Sequence, residues 1–220
     1  MSLALESVIC TTCRDAFTTH ASGECAACRP SKSVQHSGLT AEHYTPIEIV
    51  EAARATMGGI DLDPASTESV NTHRVKADRF FTKRDDALRH PWFGRVFLNP
   101  PGGKREKGDP ERRSRAAEWW AKLATEYQRG GVTEAIFLGF TLEILATSQD
   151  ATLWPGDFPF CIPRTRIDFY QEVAPGEFKE GGSPAHSNVV VYLPQTGAGG
   201  CIDGTRRFRD AFSKFGRVRA

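Results

Sequence analysis

A short apolar run, Val96-Phe97-Leu98, ends at Asn99-Pro100-Pro101-Gly102-Gly103-Lys104, and that ending constrains what can surround it. Two consecutive prolines remove two backbone donors and fix two φ angles, so neither a helix nor a ladder continues through them. The run reads as a strand that stops at a rigid polar corner. There the Asn99 amide and the carbonyls after it face outward as acceptors held side by side. Ligands of open α/β sheets bind at the carboxyl edge of the strands, and two fixed acceptors suit an exocyclic amino group. A plain Pro-Pro turn is the alternative reading of the same residues.

The segments on either side alternate between helix and strand patterns, which favours a parallel α/β sheet of doubly wound, Rossmann-like type. Thr45-Pro46, as N-cap and first helical residue, opens a helix with Ile47, Ile49, Val50, Ala53 and Met57 that closes at Gly58-Gly59. Ile60-Asp61-Leu62-Asp63-Pro64-Ala65-Ser66 reads as a brief strand ending in an acid, a proline and small residues. An acid there can hold a ribose while small residues let a ligand approach the backbone, although the glycine-rich form of such a site is missing and a turn is the competing reading. One short helix and one weak strand are expected in residues 67–94, where Asp85 and Asp86 are either exposed loop acids or partners of a ligand base.

Residues 115–129 place Ala116, Ala117, Trp119, Trp120, Leu123, Ala124 and Tyr127 at helical spacing, which assigns both tryptophans to the core. Ala135 to Phe140 is a buried strand, Leu142 to Ser148 a helix, and Arg166–Tyr170 and Asn188–Leu193 are strands joined by a glycine- and proline-containing loop. Phe158 to Pro163 is too broken by proline for a central strand. Arg206 to Phe215 forms an amphipathic helix before Gly216 and a last strand.

Before this domain, expected over residues 41–220, stand two Cys-x2-Cys pairs, Cys10/Cys13 and Cys25/Cys28, in a segment poor in large apolar side chains. Four thiolates on one tetrahedral zinc would replace the core that residues 1–30 cannot build. A polar, turn-rich linker spans 31–40. Cysteines spaced for metal, the lack of an apolar run long enough to cross a membrane and the lack of a signal-like N-terminus imply a cytoplasmic, non-membrane protein. The net charge of +1 excludes nothing, so a binding face must come from clustering. The clearest cluster is residues 104–115, where Lys104, Arg105, Lys107, Arg112, Arg113 and Arg115 outnumber three acids beside the Asn-Pro-Pro corner. Six cations placed there point to phosphates of DNA.

Three features in one order, His43-Tyr44-Thr45-Pro46, Asp61-Leu62-Asp63-Pro64-Ala65-Ser66 and Phe97-Leu98-Asn99-Pro100-Pro101, together resemble the amino-methyltransferases of DNA. More narrowly, the chain resembles the phage-type DNA adenine methyltransferase family. Cys161-Ile162-Pro163-Arg164-Thr165-Arg166-Ile167-Asp168-Phe169 and Ser183-Pro184-Ala185-His186 through Tyr192 match its later segments, so the likeness covers about residues 41–194.

The resemblance implies S-adenosylmethionine as cofactor, lined by Tyr44, Thr45, Pro46, Asp61, Asp63, Pro64, Ala65 and Ser66, with Asp85 as a partner for its adenine amine. It implies a catalytic corner of Asn99, Pro100, Pro101 and Gly102, in which Asn99 and the Pro100 carbonyl hold the target amino group. Where the family often carries an aromatic that stacks on the extruded base, this chain has Gly102, and Tyr44, Phe160, Phe169 and Tyr170 are candidates to replace it. The activity expected is methyl transfer to N6 of adenine in DNA. Cytosine, RNA or a protein amide as acceptor, or a non-catalytic DNA-binding module, are the alternatives.

Overall fold

The computed structural model describes residues 8–9, 17–18, 43–102, 115–182, 186–195 and 200–220. The chain falls into two compact units, Met1–Leu39 and Thr40–Ala220. In the first, β1 (Val8–Ile9) pairs antiparallel with β2 (Phe17–Thr18). Cys10, Cys13, Cys25 and Cys28 lie outside the described residues, as does the linker, so the zinc expectation finds neither support nor correction there.

The second unit begins with α1 (Ile47–Met57), β3 (Leu62–Asp63), a short helix α2 (Glu68–Val70) that widens into a π turn over Asn71–Val75, and β4 (Arg79–Phe80). It continues with β5 (Gly94–Leu98), α3 (Arg115–Gln128), β6 (Val132–Gly139), α4 (Glu143–Thr147) and β7 (Phe160–Pro163). The hairpin β8 (Phe169–Ala174) and β9 (Glu177–Gly182), then β10 (Val189–Leu193), α5 (Gly200–Phe212) and β11 (Gly216–Arg219), complete it.

Seven strands form one sheet in the order β11-β7-β10-β6-β5-β3-β4. The pairings β4–β3, β3–β5 and β5–β6 are parallel, while β6–β10, β10–β7 and β7–β11 are antiparallel, so five strands point one way and β10 and β11 the other. The expected α/β class with a mostly parallel central sheet is what the chain adopts. Alternation along the strands sends side chains to two cores. Phe97, Ile136, Leu138, Val190 and Tyr192 pack with α1 and with Phe208 and Phe212 of α5, whereas Val96, Leu98, Ala135, Phe137 and Val191 pack with Trp120 and Leu123 of α3. Helices therefore cover both faces.

Pro46, at φ −53°, is the cap of α1 and no side chain bonds the first turn, so Thr45 is not the capping residue. Gly58 ends the helix in the left-handed region at φ 77°, the conformation glycine adopts without steric cost. Phe160–Pro163 is an interior strand, contrary to the expectation from its prolines. Pro159 precedes the strand and Pro163 ends it, so both missing donors fall at its limits, and Pro159 still accepts a bond from the Tyr192 amide at 2.8 Å. The second strand of the β8–β9 hairpin occupies part of what reads in sequence as a loop.

Candidate functional site

From β3 the chain moves outward to β4 on one side, then returns to place β5 on the other side of β3. Such a reversal opens a crevice beyond the carboxyl ends of the two strands, where the connecting segments diverge. The crevice is a cavity of about 410 Å³. Four short segments meet in it: His43–Thr45 ahead of α1, Pro64–Thr67 after β3, Asn99–Gly102 after β5, and Thr82, Lys83 and Asp86–Leu88 after β4. Val70, Val75, Trp119 and Phe140 add apolar wall.

Asn99 is anchored from one side only. Its Nδ2 donates to the His43 carbonyl at 2.9 Å, which fixes the amide plane. Its Oδ1 is buried and accepts no hydrogen bond in the structure. A buried acceptor without a donor costs about 1–3 kcal/mol, and Asn99 lines the cavity, so this oxygen has capacity for one N–H. Pro100 is buried behind it and Gly102 borders open space, since a Cβ built there meets no atom within 4 Å.

The three acids singled out from the sequence separate. Asp63, 3% exposed, ends β3 beneath Pro64–Ser66, and its Oδ1 accepts the Ala65 amide at 3.0 Å. Burial pushes its carboxyl up to about 6 against the pull of the Ala65 amide and the Ser66 hydroxyl. Asp85 turns back on its own loop, where its Oδ2 accepts from the Thr82 amide and hydroxyl, both at 2.7 Å, and those bonds hold its carboxyl below the usual range. Its neighbour Asp86, left-handed at φ 48°, is the one that lines the cavity. The buried Trp92 fixes this turn by donating its indole N–H to the Ala87 carbonyl at 2.9 Å.

Asp61 is engaged away from the crevice. Its Oδ2 accepts from the Arg95 backbone at 2.7 Å and from Arg95 Nε at 3.0 Å, and Gly94, at φ 67°, lets the backbone approach that closely. The Arg95 guanidinium depresses the Asp61 carboxyl below its ordinary 3.8. A depressed acid contributes stability above its unfolded pKa and loses it as pH falls through the lower folded value. Asp61→Asn is therefore expected to cost about 1–2 kcal/mol at pH 7, a gap that narrows below pH 4 in urea titrations, while ligand affinity stays within about twofold. A large affinity loss with unchanged stability would assign Asp61 to the ligand instead.

No protein-family model, curated protein or solved structure matches this chain. Interpretation falls to the chemistry of the crevice itself.

Tyr44, Thr45, Pro64, Ala65, Ser66 and the whole Asn99–Gly102 corner come together in the cavity, while Pro46 sits one residue beyond it as the cap of α1. Of the aromatics offered as base platforms, only Tyr44 reaches it. Phe169 is fully buried, Tyr170 stacks under Arg74, and Phe160 lies on β7 towards the far end of the sheet. The exposed aromatic surface comes from Trp119 and Phe140 instead. Adjacent residues on a helix point about 100° apart, so Trp119 and Trp120 meet different surroundings, although both pack against the core beneath α3. Trp120 is fully buried against Phe137, and Trp119 faces the cavity. Phe140 follows β6 at its carboxyl end, a position the same edge rule would have flagged. Of the basic cluster, Lys104, Arg105, Lys107, Arg112 and Arg113 lie outside the described residues, and only the backbone of Arg115 is described, as the first residue of α3.

Proposed function

We propose that the chain is a methyltransferase that uses S-adenosylmethionine to methylate the N6 amino group of adenine in DNA. The observation that carries this reading is Asn99: an amide clamped through Nδ2, with a buried, unsatisfied oxygen beside a cavity at the sheet's reversal point. An exocyclic amine is a weak nucleophile because its lone pair is delocalised into the ring. Asn99 Oδ1, with the Pro100 carbonyl, would accept its two hydrogens and favour a pyramidal nitrogen, and this preorganisation lowers the barrier without a strong base.

The cavity's donor set fits the cofactor. Asp63, buried behind the lining residues Pro64–Ser66, would favour a cationic ligand nearby, small residues Ala65 and Ser66 admit close approach, and Trp119 and Leu88 offer apolar surface to a purine. When bound, the cofactor would supply an electrophilic methyl on a sulfonium. Phe140 takes the place of the aromatic missing at Gly102. It presents a ring to the cavity that is stacked from behind by Phe169 at 5.0 Å and flanked by His43 at 5.4 Å. A stacking surface of this kind recovers roughly 1–3 kcal/mol of the cost of extruding a base.

Incubating DNA with protein and labelled cofactor, then digesting it to nucleosides for mass spectrometry, tests the reading. N6-methyl-2′-deoxyadenosine in the digest is the expected product, and its absence with label in cytosine, RNA or protein moves the acceptor. The N-terminal cysteines belong to the same proposal as a structural zinc site. One zinc per chain is expected by elemental analysis, and Cys10→Ser should lose it while the melting of the main domain stays unchanged. Metal-free protein after reductive purification would remove zinc from the reading.

A further inference from the structure

At the far end of the sheet, β7 and β11 pair so that Phe160 stands opposite Arg219 and Ile162 opposite Arg217. Alternation puts these four side chains on one face, with Cys161 and Val218 on the other. The core beneath α3 runs outward as far as Val189, Val191 and Leu193 of β10, and Phe160 only joins its margin. Past that margin Phe160 and Ile162 are half-buried, and Arg217 and Arg219 are exposed. The result is a shallow groove of about 540 Å³ with an apolar floor of Phe160 and Ile162 and a rim that includes Arg209 of α5, Arg217 and Arg219.

Ion pairing is uneven among the described cations of this chain. Arg54, Arg89, Arg95, Lys122, Arg206 and Arg207 each pair with a carboxylate. Arg209, Arg217 and Arg219 make no ion pair among the described residues, and no acidic side chain lines their groove. With 27 acids against 28 lysines and arginines, the sequence had partners to spend on them. Three converging guanidiniums repel one another until an anion joins them, and arginine's planar fork suits phosphate.

We infer that this end of the sheet is a second surface for the phosphodiester backbone of nucleic acid, separate from the catalytic crevice. The choice of nucleic acid over another polyanion rests on the function proposed above. Phe160 stands opposite Val191, Val191 opposite Phe137 and Phe137 opposite Leu98, so Phe160 lies in the row of Leu98, one residue short of Asn99. Three strand spacings to β7 and four to β11 separate the groove from β5 by roughly 14–19 Å. A duplex reaching both must exceed about 6 base pairs at 3.4 Å each. The groove therefore holds a length-dependent contact, one that raises residence on long DNA and leaves short DNA unaffected.

The test compares full-length wild type with Arg209→Gln/Arg217→Gln/Arg219→Gln, in anisotropy titrations without cofactor, on a hairpin with a duplex stem of about 4 base pairs and a duplex of about 30 base pairs across a salt series. On the long duplex the variant should bind at least about tenfold more weakly near 0.1 M salt, with the slope of log K against log salt reduced by about 2–3. The short hairpin should change less than twofold. The matching triple Lys variant keeps the charges and should retain most of the affinity, which separates phosphate contact from damage to the fold. Unchanged slope on the long duplex overturns the inference, as does an equal loss on both lengths. Binding to phosphatidylserine vesicles with no effect on DNA also overturns it, in favour of a membrane surface. Because nothing here depends on methyl transfer, an inactive wild type would sink the proposed activity and leave this result standing.

Discussion

Asn99→Ala is expected to lower turnover by on the order of 10²–10³, the cost of removing one preorganised partner of a developing transition state. The effect should fall on kcat, because the hydrogen bond from the target amine strengthens only as the nitrogen pyramidalises. DNA affinity should change little, since phosphate contacts dominate it. The variant also loses the Nδ2 bond to the His43 carbonyl, 2.9 Å in the native chain, so part of the deficit could come from a displaced His43–Thr45 strap. Asn99→Asp separates the two. It keeps an acceptor facing the cavity but cannot donate to His43, so weakened cofactor binding in Asn99→Asp measures the strap and the remaining loss of turnover in Asn99→Ala measures the acceptor. Wild-type methylation by both variants would reduce Asn-Pro-Pro to a turn.

Asp63 carries the second large effect, and it runs in opposite directions for stability and for binding. Its folded carboxyl titrates near 6, above the ordinary 3.8. An acid whose folded pKa is raised contributes stability that is fully present below the unfolded value and is lost as pH rises through the folded one. Above pH 7 the free protein thus carries a buried charge, and Asp63→Asn should stabilise it by on the order of 1–3 kcal/mol while keeping an acceptor for the Ala65 amide. The gain should vanish below about pH 4 in denaturant titrations. A cationic cofactor beside the carboxylate reverses the balance, so Asp63→Asn or Asp63→Ala should weaken S-adenosylmethionine binding by about tenfold or more in calorimetry. Stability that rises together with unchanged affinity would confirm the buried charge and place the cofactor elsewhere.

Strand ends were the most legible part of this sequence, because proline and polar residues stop a ladder by local geometry alone. Asn99, Pro64–Ser66 and Tyr44–Thr45 share one crevice as expected. What escaped depends on tertiary placement. Asp61 and Asp63 read as equivalent carboxylates, but a two-residue offset puts one beside Arg95 and the other under the cavity floor. Asp85 and Asp86 differ by one position, and the left-handed backbone at Asp86 decides which of them faces the cavity. β7 was obscured by its prolines, whose positions at the strand limits become visible only in the register with β10 and β11. The β8–β9 hairpin lacks a strong alternating pattern because it sends Phe169 and Phe178 to the core beside α1 and leaves most of its other side chains part-buried or exposed.

That hairpin also ties one wall of the crevice late in synthesis, through Tyr44. Tyr44 and Tyr170 exchange two backbone hydrogen bonds, at 2.8 and 2.9 Å, although 126 residues separate them (170 − 44). Arg74 ties the same junction by donating to the Thr45 carbonyl while its guanidinium lies over the Tyr170 ring. Every residue that lines the crevice leaves the ribosome before Tyr170 does, yet the segment at Tyr44 gains its two backbone bonds only when the hairpin arrives. Closing a loop of that length is slow relative to local helix formation. The newborn chain thus carries its Asn-Pro-Pro corner beside an untied Tyr44–Thr45 segment until the last third of the domain has been made.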